Sequence, residues 1–319
     1  LKTIITGISG QDGAYLAKQL LSQGHSVIGL VRGSISSLNG LKYLDIFDSI
    51  ELCTIDLTDK DGLNDLFKSI QPDYYYNLAA QSSVGASFVN PHESILFNLH
   101  STLNALEAIR VYSRHTKFYQ ATSSEMFGDV AELPITEKTL LHPQSPYAIS
   151  KAACHHLVRN YRESYDISAC SGILFNHESV LRRENFFIMK VIKTALDIKF
   201  NRCDELRVGN IDIKRDFGFA PKYVEAMILM MDQEELDDYI ICSGTSITLR
   251  SIIYHIFDCL NISKDRVVID QRFFRPSEIS DIYGDNSKAK RELGWEYDFS
   301  FYSVVENILE EYQTKFYNV

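Results

Sequence analysis

Tyr147 and Lys151 stand four residues apart in the segment SPYAISK. On a helix that spacing puts a phenol and an ammonium on one face. A free phenol has a pKa of about 10 and is a poor base at neutral pH. A neighbouring ammonium favours the phenolate by charge, and so does a nicotinamide ring in its cationic form. The pair is thus suited to taking a proton from a hydroxyl while a hydride leaves the adjacent carbon. Because Y-x-x-x-K occurs in many helices by chance, it needs company. Two other segments supply it. QATSSEMFG, residues 120–128, sets Ser123 and Glu125 directly after an apolar strand pattern. At the start of the chain, TGISGQDGAYL carries Gly7, Gly10 and Gly13 at G-x-x-G-x-x-G spacing.

These glycines lie between a short apolar run, Lys2 to Thr6, and a helical pattern that includes Tyr15 to Leu21. In that setting Gly7 permits a tight turn, Gly10 lets backbone approach a pyrophosphate, and Gly13 lets the helix pack on the strand. The helix N-terminus then faces the anion with free N–H groups. A dinucleotide site is the expectation, with Gln11 and Asp12 inside the loop. Arg32 ends the second strand pattern, where an acid would favour NAD; a guanidinium there accepts a 2′-phosphate, which points to NADP. Asp56, in TIDLTD, is placed to accept the adenine amino group, with Leu57 beside it.

The elements that must position these groups alternate. Strand patterns are expected at 2–6, 26–31, 50–55, 74–78, 117–121 and 168–175, and helices at about 60–69, 94–112 and 147–165. This order gives an α/β fold, a doubly wound parallel sheet of Rossmann type, with ligands at the carboxyl ends of the strands. After Asn176 the rhythm becomes irregular. That predicts a dinucleotide-binding domain from 1–175 and about 210–243, and a smaller mixed α/β substrate lobe from about 176–209 and 244–319. A chain of 319 residues is long enough for both.

The formal net charge of −10 argues against nucleic acid or an anionic membrane as a partner. The six cysteines form no C-x-x-C pair and no zinc-finger spacing with His, so they read as reduced thiols and no metal site is expected. No apolar run reaches membrane-spanning length. The strand pattern that opens the sequence leaves no room for a signal peptide, so a cytoplasmic location is the expectation.

The sequence resembles the extended short-chain dehydrogenase/reductase family and, within it, the GDP-mannose 4,6-dehydratases. The segments that carry the resemblance are TGISGQDGAYLAKQLL, NLAAQSSVGASF, FYQATSSEMFG, SPYAISK, NYRESY, GILFNHES, GNIDIKRDFGFAPKYVEAM and FFRPSE, in order and over nearly the full length. The resemblance implies that Tyr147 removes the sugar O4 proton while the C4 hydride passes to NADP, that Lys151 holds the nicotinamide ribose and lowers the pKa of Tyr147, and that Ser123 hydrogen-bonds O4. Glu125 would take the C5 proton, which becomes acidic beside a C4 ketone, and assist loss of the C6 hydroxyl. For the GDP-sugar it implies Arg215 and Arg275 on the diphosphate, Asn176 near phosphate or sugar, Glu278 on a ribose and Lys190 on guanine. It also implies a homodimer or homotetramer.

The chain departs from the family pattern at Val180, where Pro is usual, at Arg183, where Gly is usual, and at Met189, where an Arg precedes the lysine. All three are expected where the lobe meets the substrate, so a GDP-manno-heptose is an alternative to mannose. The segment GSISSLNGLKYL, from Gly33, differs from the RRSS-type loop that in relatives reaches a neighbouring subunit's cofactor. A C4 epimerase or 4-ketoreductase is the alternative reaction, and Glu125 argues against it, since an epimerase needs no base at C5. The intact Tyr147/Lys151 pair argues against a non-catalytic regulator.

Overall fold

A computed structural model describes residues 1–33 and 38–317. The first half alternates as its hydrophobic pattern requires: β1 (Lys2–Thr6), α1 (Gln11–Ser22), β2 (Ser26–Val31), α2 (Asn39–Tyr43), β3 (Glu51–Thr54), α3 (Lys60–Ile70), β4 (Tyr74–Asn77), α4 (Val84–Val89), α5 (Pro91–Tyr112), β5 (Lys117–Ser123), α6 (Pro146–Tyr165) and β6 (Ala169–Leu174). The second half contributes β7 (Asn176–Glu178), α7 (Phe187–Lys199), β8 (Leu206–Val208), β9 (Lys214–Phe219), α8 (Ala220–Met231), β10 (Tyr239–Ile241), β11 (Ser246–Thr248), α9 (Leu249–Leu260), β12 (Val267–Ile269), α10 (Ser287–Leu293) and α11 (Phe301–Tyr317). Ser34 to Ser37, which belong to the divergent segment after Arg32, lie outside the described residues.

Seven strands form one parallel sheet in the order β10-β6-β5-β4-β1-β2-β3. Neighbouring residues of a strand face opposite sides. Ile5, Tyr76 and Tyr119 join the core under α1 and α8, while Ile4, Tyr75 and Phe118 join the core under α3, α5 and α6. Both faces are covered, which is why these strands read as unbroken apolar runs. The strand order reverses between β1 and β4, and a crevice opens at their carboxyl ends.

The smaller layer holds a three-stranded sheet, β11-β9-β7, and the parallel pair β12-β8. Helices α7, α9 and α11 enclose its separate core, built on Ile188, Ile192, Ile253, Phe257, Val304 and Ile308. The chain crosses between layers repeatedly. Within 210–243, β9 pairs in the small sheet while α8 and β10 join the large one. Ala289, Leu293 and Trp295, far along the chain, also pack in the core of the large layer, and the Trp295 indole N–H donates to the Lys222 carbonyl at 2.9 Å. Among the described residues no helix is long and apolar enough to cross a membrane.

Candidate active site

The loop between β1 and α1 can only be built from glycine at its key points. Gly7 has φ +70, and a Cβ on it would lie 2.8 Å from the Ala79 backbone nitrogen. On Gly13 a Cβ would lie 2.4 Å from the Gly7 carbonyl oxygen. Gly10 caps α1 without any side-chain hydrogen bond, so the first N–H groups of the helix stay open to an anion. Thr6 braces the turn: its hydroxyl accepts the N–H groups of Leu78 and Ala79 at 3.0 Å each and donates to Asn77 Oδ1 at 3.0 Å. Asn77 passes the contact to Gln120 Oε1 at 2.8 Å. A buried polar chain thus fixes the ends of β1, β4 and β5 together.

Above this loop lies a cavity of about 480 Å³, lined by the glycine loop, Arg32, Leu57, Phe97, Arg182 and Arg183 among others. A glycine cradle and an uncapped helix N-terminus at one end, with arginines on its walls, fit a dinucleotide. Gln11 and Asp12 line it too, but their side chains reach toward β7: Gln11 Nε2 donates to the His177 carbonyl at 2.8 Å, and the Asp12 carboxylate meets the His177 ring. Asp56 is exposed and does not line the cavity. Its carboxylate accepts the Thr58 N–H at 2.9 Å and hydroxyl at 2.8 Å, and these bonds hold it below the usual range.

A second, smaller cavity of about 240 Å³ shares Asp12, Ala80, Arg182 and Phe186 with the first. It brings together Ser123, Glu125, Tyr147, Lys151, Asn176, Arg215 and Arg275. Ser123 ends β5 and its hydroxyl accepts the Glu125 N–H at 3.3 Å, starting the short turn that carries Glu125. Ser145 caps α6 by accepting the Ala148 N–H at 3.1 Å, with Pro146 in the first turn. This start sets Tyr147 and Lys151 on the buried side of α6. Ser150 donates to the Tyr147 carbonyl at 2.7 Å and accepts from Asn98 at 2.9 Å, locking α6 to α5.

The electrostatics differ from expectation in one respect. Tyr147 is pushed up to about 12, first by burial; the Glu125 carboxylate adds to this and a hydrogen bond with Ser123 opposes it. Lys151 Nζ donates to the Ala121 carbonyl at 2.8 Å and sits 5.8 Å from the centre of the Tyr147 ring. Burial lowers the Lys151 pKa. Without a bound cation the phenol is therefore protonated at neutral pH.

Arg215 is buried and held from below, its Nη1 donating to the carbonyls of Lys214 and Ile279 at 2.7 Å each. Asn176 lies at the start of β7, its amide 3.4 Å from the Asp216 carbonyl. Two expected substrate residues do not reach this cavity. Glu278 accepts the Asn210 amide at 2.8 Å. Lys190 donates to the Arg207 carbonyl at 2.8 Å and lies 4.3 Å from the centre of the Phe273 ring. Of the three departures, Val180 and Met189 are buried in the core of the smaller layer, away from solvent; Arg183 lines the larger of the two cavities.

Three residues not singled out in the sequence line the smaller cavity, and one of them, Arg182, lines the larger cavity as well. His177, Glu178 and Arg182 come from NHESVLR, which begins one residue after β6. His177 Nδ1 bonds the Phe175 carbonyl at 2.7 Å and its ring stacks on Tyr223. Glu178 is buried, its Oε2 has no hydrogen-bond partner, and Arg182 Nε lies 3.5 Å away, also unpartnered. The signal was present in the sequence: four consecutive polar residues at the carboxyl end of a buried parallel strand belong at the ligand crevice.

A doubly wound sheet with this glycine loop and a Ser-Tyr-Lys set at its carboxyl edge defines the extended short-chain dehydrogenase/reductase class. Solved structures share the architecture: UDP-glucose 4-epimerase from Thermotoga maritima has a TM-score of 0.86 at 21% identity, covering 99% of each chain. A dTDP-glucose 4,6-dehydratase from Streptomyces venezuelae has a TM-score of 0.88 at 20% identity, covering 100% of this chain and 98% of that one. At that identity the likeness is one of fold. Sequence goes further. The family GDP-mannose 4,6 dehydratase matches residues 4–308. GDP-mannose 4,6 dehydratase 2 of Arabidopsis thaliana is 43% identical over 321 residues, 97% of this chain and 86% of the relative. The GDP-mannose 4,6-dehydratase of Yersinia enterocolitica is 39% identical over 331 residues, 92% of this chain and 89% of the relative. The chain belongs to the GDP-mannose 4,6-dehydratase family.

Proposed function

We propose that this protein is a sugar-nucleotide 4,6-dehydratase that uses NADP and converts GDP-mannose to GDP-4-keto-6-deoxymannose. The observation that carries the reading is the presence of Glu125 and Tyr147 on the wall of one cavity that opens into the glycine-loop cavity. One group serves a hydroxyl proton and the other a carbon acid, and the two tasks meet on one sugar ring.

A nicotinamide held by the glycine loop and Lys151 would supply reversible hydride storage. The chain's residues do the rest. Tyr147 takes the O4 proton, and Ser123 orients that oxygen. The ordinary high pKa of a buried phenol falls when a cationic ring and the Lys151 ammonium stand beside it, so the base forms only in the loaded site. Lys151, already anchored on the Ala121 carbonyl, is in place to hold the ribose. The C5–H is inert in the starting sugar and becomes acidic once C4 is a ketone. Glu125 then removes that proton and helps the C6 hydroxyl leave as water. Arg215 and Arg275 supply the local positive charge a diphosphate needs on an acidic protein, with Asn176 between them and the sugar. Arg32, Arg182 and Arg183, which line the larger cavity, are proposed as cofactor contacts, and Arg32 supports NADP over NAD.

Lys190 and Glu278 retain their proposed base and ribose roles only if the substrate extends beyond the smaller cavity toward Phe273 and Asn210. The proposed division into 1–175 with about 210–243 and 176–209 with 244–319 needs two exchanges: β9, which carries Arg215, goes with the sugar-nucleotide layer, and the segment from Ala289 to Trp295 goes with the cofactor layer. The six free thiols support a reducing, cytoplasmic setting, and assembly as a homodimer or homotetramer is part of the same proposal. The test is mass spectrometry of reactions containing GDP-mannose or a GDP-manno-heptose with NADP. Loss of one water from GDP-mannose is the expected result; a product of unchanged mass points to the epimerase alternative.

A further inference from the structure

Helices α9 and α11 face the core of the smaller layer with Ile252, Ile253, Ile256 and Phe257 on one and Val304, Val305 and Ile308 on the other. At the outer edge of their seam stand three side chains of a different kind. His255 and Cys259 are four apart on α9 and so share a face; Glu306 reaches them from α11. His255 Nε2 lies 2.8 Å from Glu306 Oε1 and 3.8 Å from Cys259 Sγ. The three ligand atoms lie within 4.8 Å of one another. The Tyr302 ring packs against the imidazole with centroids 4.7 Å apart, which limits its rotation.

We propose that His255, Cys259 and Glu306 form a surface site for a thiophilic divalent cation of the zinc type. The donor set decides the ion. A thiolate and an imidazole suit zinc and disfavour magnesium or calcium, which want oxygen alone. Tetrahedral zinc holds N, O and S ligands at about 2.0–2.3 Å, which sets ligand atoms about 3.3–3.7 Å apart. The Nε2–Sγ separation is already close to this, and a small rotation of the exposed Glu306 opens the His–Glu contact to match. A fourth position faces solvent and takes water. On binding, the Cys259 S–H gives its proton to solvent as the S–Zn bond forms; His255 binds through neutral Nε2 and Glu306 as the carboxylate. No oxidant or reductant is involved.

The site clips the middle of α9 to α11. Leu249, at the other end of α9, lines the smaller cavity, but none of the three ligands does. The ion is therefore a brace for the layer and not part of the chemistry. The alternative is an ordinary exposed His–Glu ion pair beside an unrelated thiol.

The test uses the full-length protein freed of metal and titrated with Zn²⁺ and, for spectroscopy, Co²⁺. The proposal expects one ion per chain in the micromolar range, a thiolate-to-cobalt charge-transfer band, and a rise in melting temperature with Zn²⁺. Cys259→Ser should abolish the band and weaken Zn²⁺ binding at least tenfold, as should His255→Gln, while dehydratase activity without added metal is unchanged. Absence of micromolar binding, a cobalt spectrum without the thiolate band, or wild-type affinity in Cys259→Ser overturns it. The last would place the metal elsewhere, since Cys53 and Cys203 are also partly accessible.

Discussion

His177 Nε2 lies 3.0 Å from each carboxylate oxygen of Asp12, so the first turn of α1 is tied to the strand that opens the smaller layer. Burial pushes the Asp12 carboxyl up, but the charge and hydrogen bond of His177, with Arg182 behind them, outweigh it and leave it below the usual range. Burial pulls His177 down, and the same pairing more than reverses this. A lowered acid stabilises above its unfolded pKa and loses that as pH falls through its folded value; a raised His stabilises below its unfolded pKa and loses that as pH rises through its folded value. The pair therefore contributes fully between about pH 4 and 6.5. Asp12→Asn should cost about 3 kcal/mol near pH 6, and the gap should narrow in urea melts near pH 9.

Tyr147→Phe should keep fold and cofactor binding but lose the first oxidation. Tyr147 is buried on the wall of the smaller cavity, beside Ser123 and Lys151. Turnover should fall by at least about 100-fold, measured beside an unchanged cofactor dissociation constant. A rate within about threefold of wild type, roughly 0.6 kcal/mol in barrier, removes Tyr147 from the chemistry.

Glu125→Gln separates the two half-reactions. The amide is nearly isosteric and keeps the backbone N–H that Ser123 accepts, so substrate still binds and C4 is still oxidised. The amide cannot take a proton from C5. On mixing with GDP-mannose the variant should accumulate reduced-cofactor absorbance, release no 6-deoxy product and incorporate no solvent deuterium at C5. Near wild-type product formation would leave the fold without this mechanism.

Arg32 and Arg183 line one cavity, and neither has an ion-pair partner among the described residues. A guanidinium that grips a phosphate is worth about 1.4 kcal/mol or more, a factor of ten in affinity. Arg32→Ala should weaken NADP about tenfold and NAD hardly at all. Arg183→Gly, the residue usual in relatives, should also weaken NADP. Calorimetric titration with both cofactors checks each; equal losses for NADP and NAD in Arg32→Ala would show that the arginine does not touch the 2′-phosphate.

The order of strands and helices through β6 was legible because a sheet covered on both faces writes itself as apolar runs separated by amphipathic helices. Ser123 and Gly7 were legible for the same reason, since they sit where a strand ends, while Tyr147 and Lys151 were legible from the four-residue spacing that puts them on one side of α6. Residues whose side chains turn away were not. Asp56 bonds its own neighbour Thr58, a local hydrogen bond that competes with any ligand; Gln11 and Asp12 do line the larger cavity, and what their place in the loop did not reveal is the long-range bonding of their side chains to His177. Met189 and Val180 looked like changes at the substrate and are instead packing residues, since helix α7 hides that side in the core of the smaller layer. Lys190 remained with the Arg207 carbonyl, a partner that only the fold brings near.

The chain's one tryptophan, Trp295, lies in the core of the large layer although nearly the whole sequence precedes it. A ribosome that has released only the first half of this protein has therefore delivered a sheet still lacking its edge strand β10, its covering helix α8 and that indole. The layer that carries the catalytic side chains stays incomplete until the C-terminal segment returns to it. Indole fluorescence is consequently an optical record of the moment when the end of the chain seals the beginning.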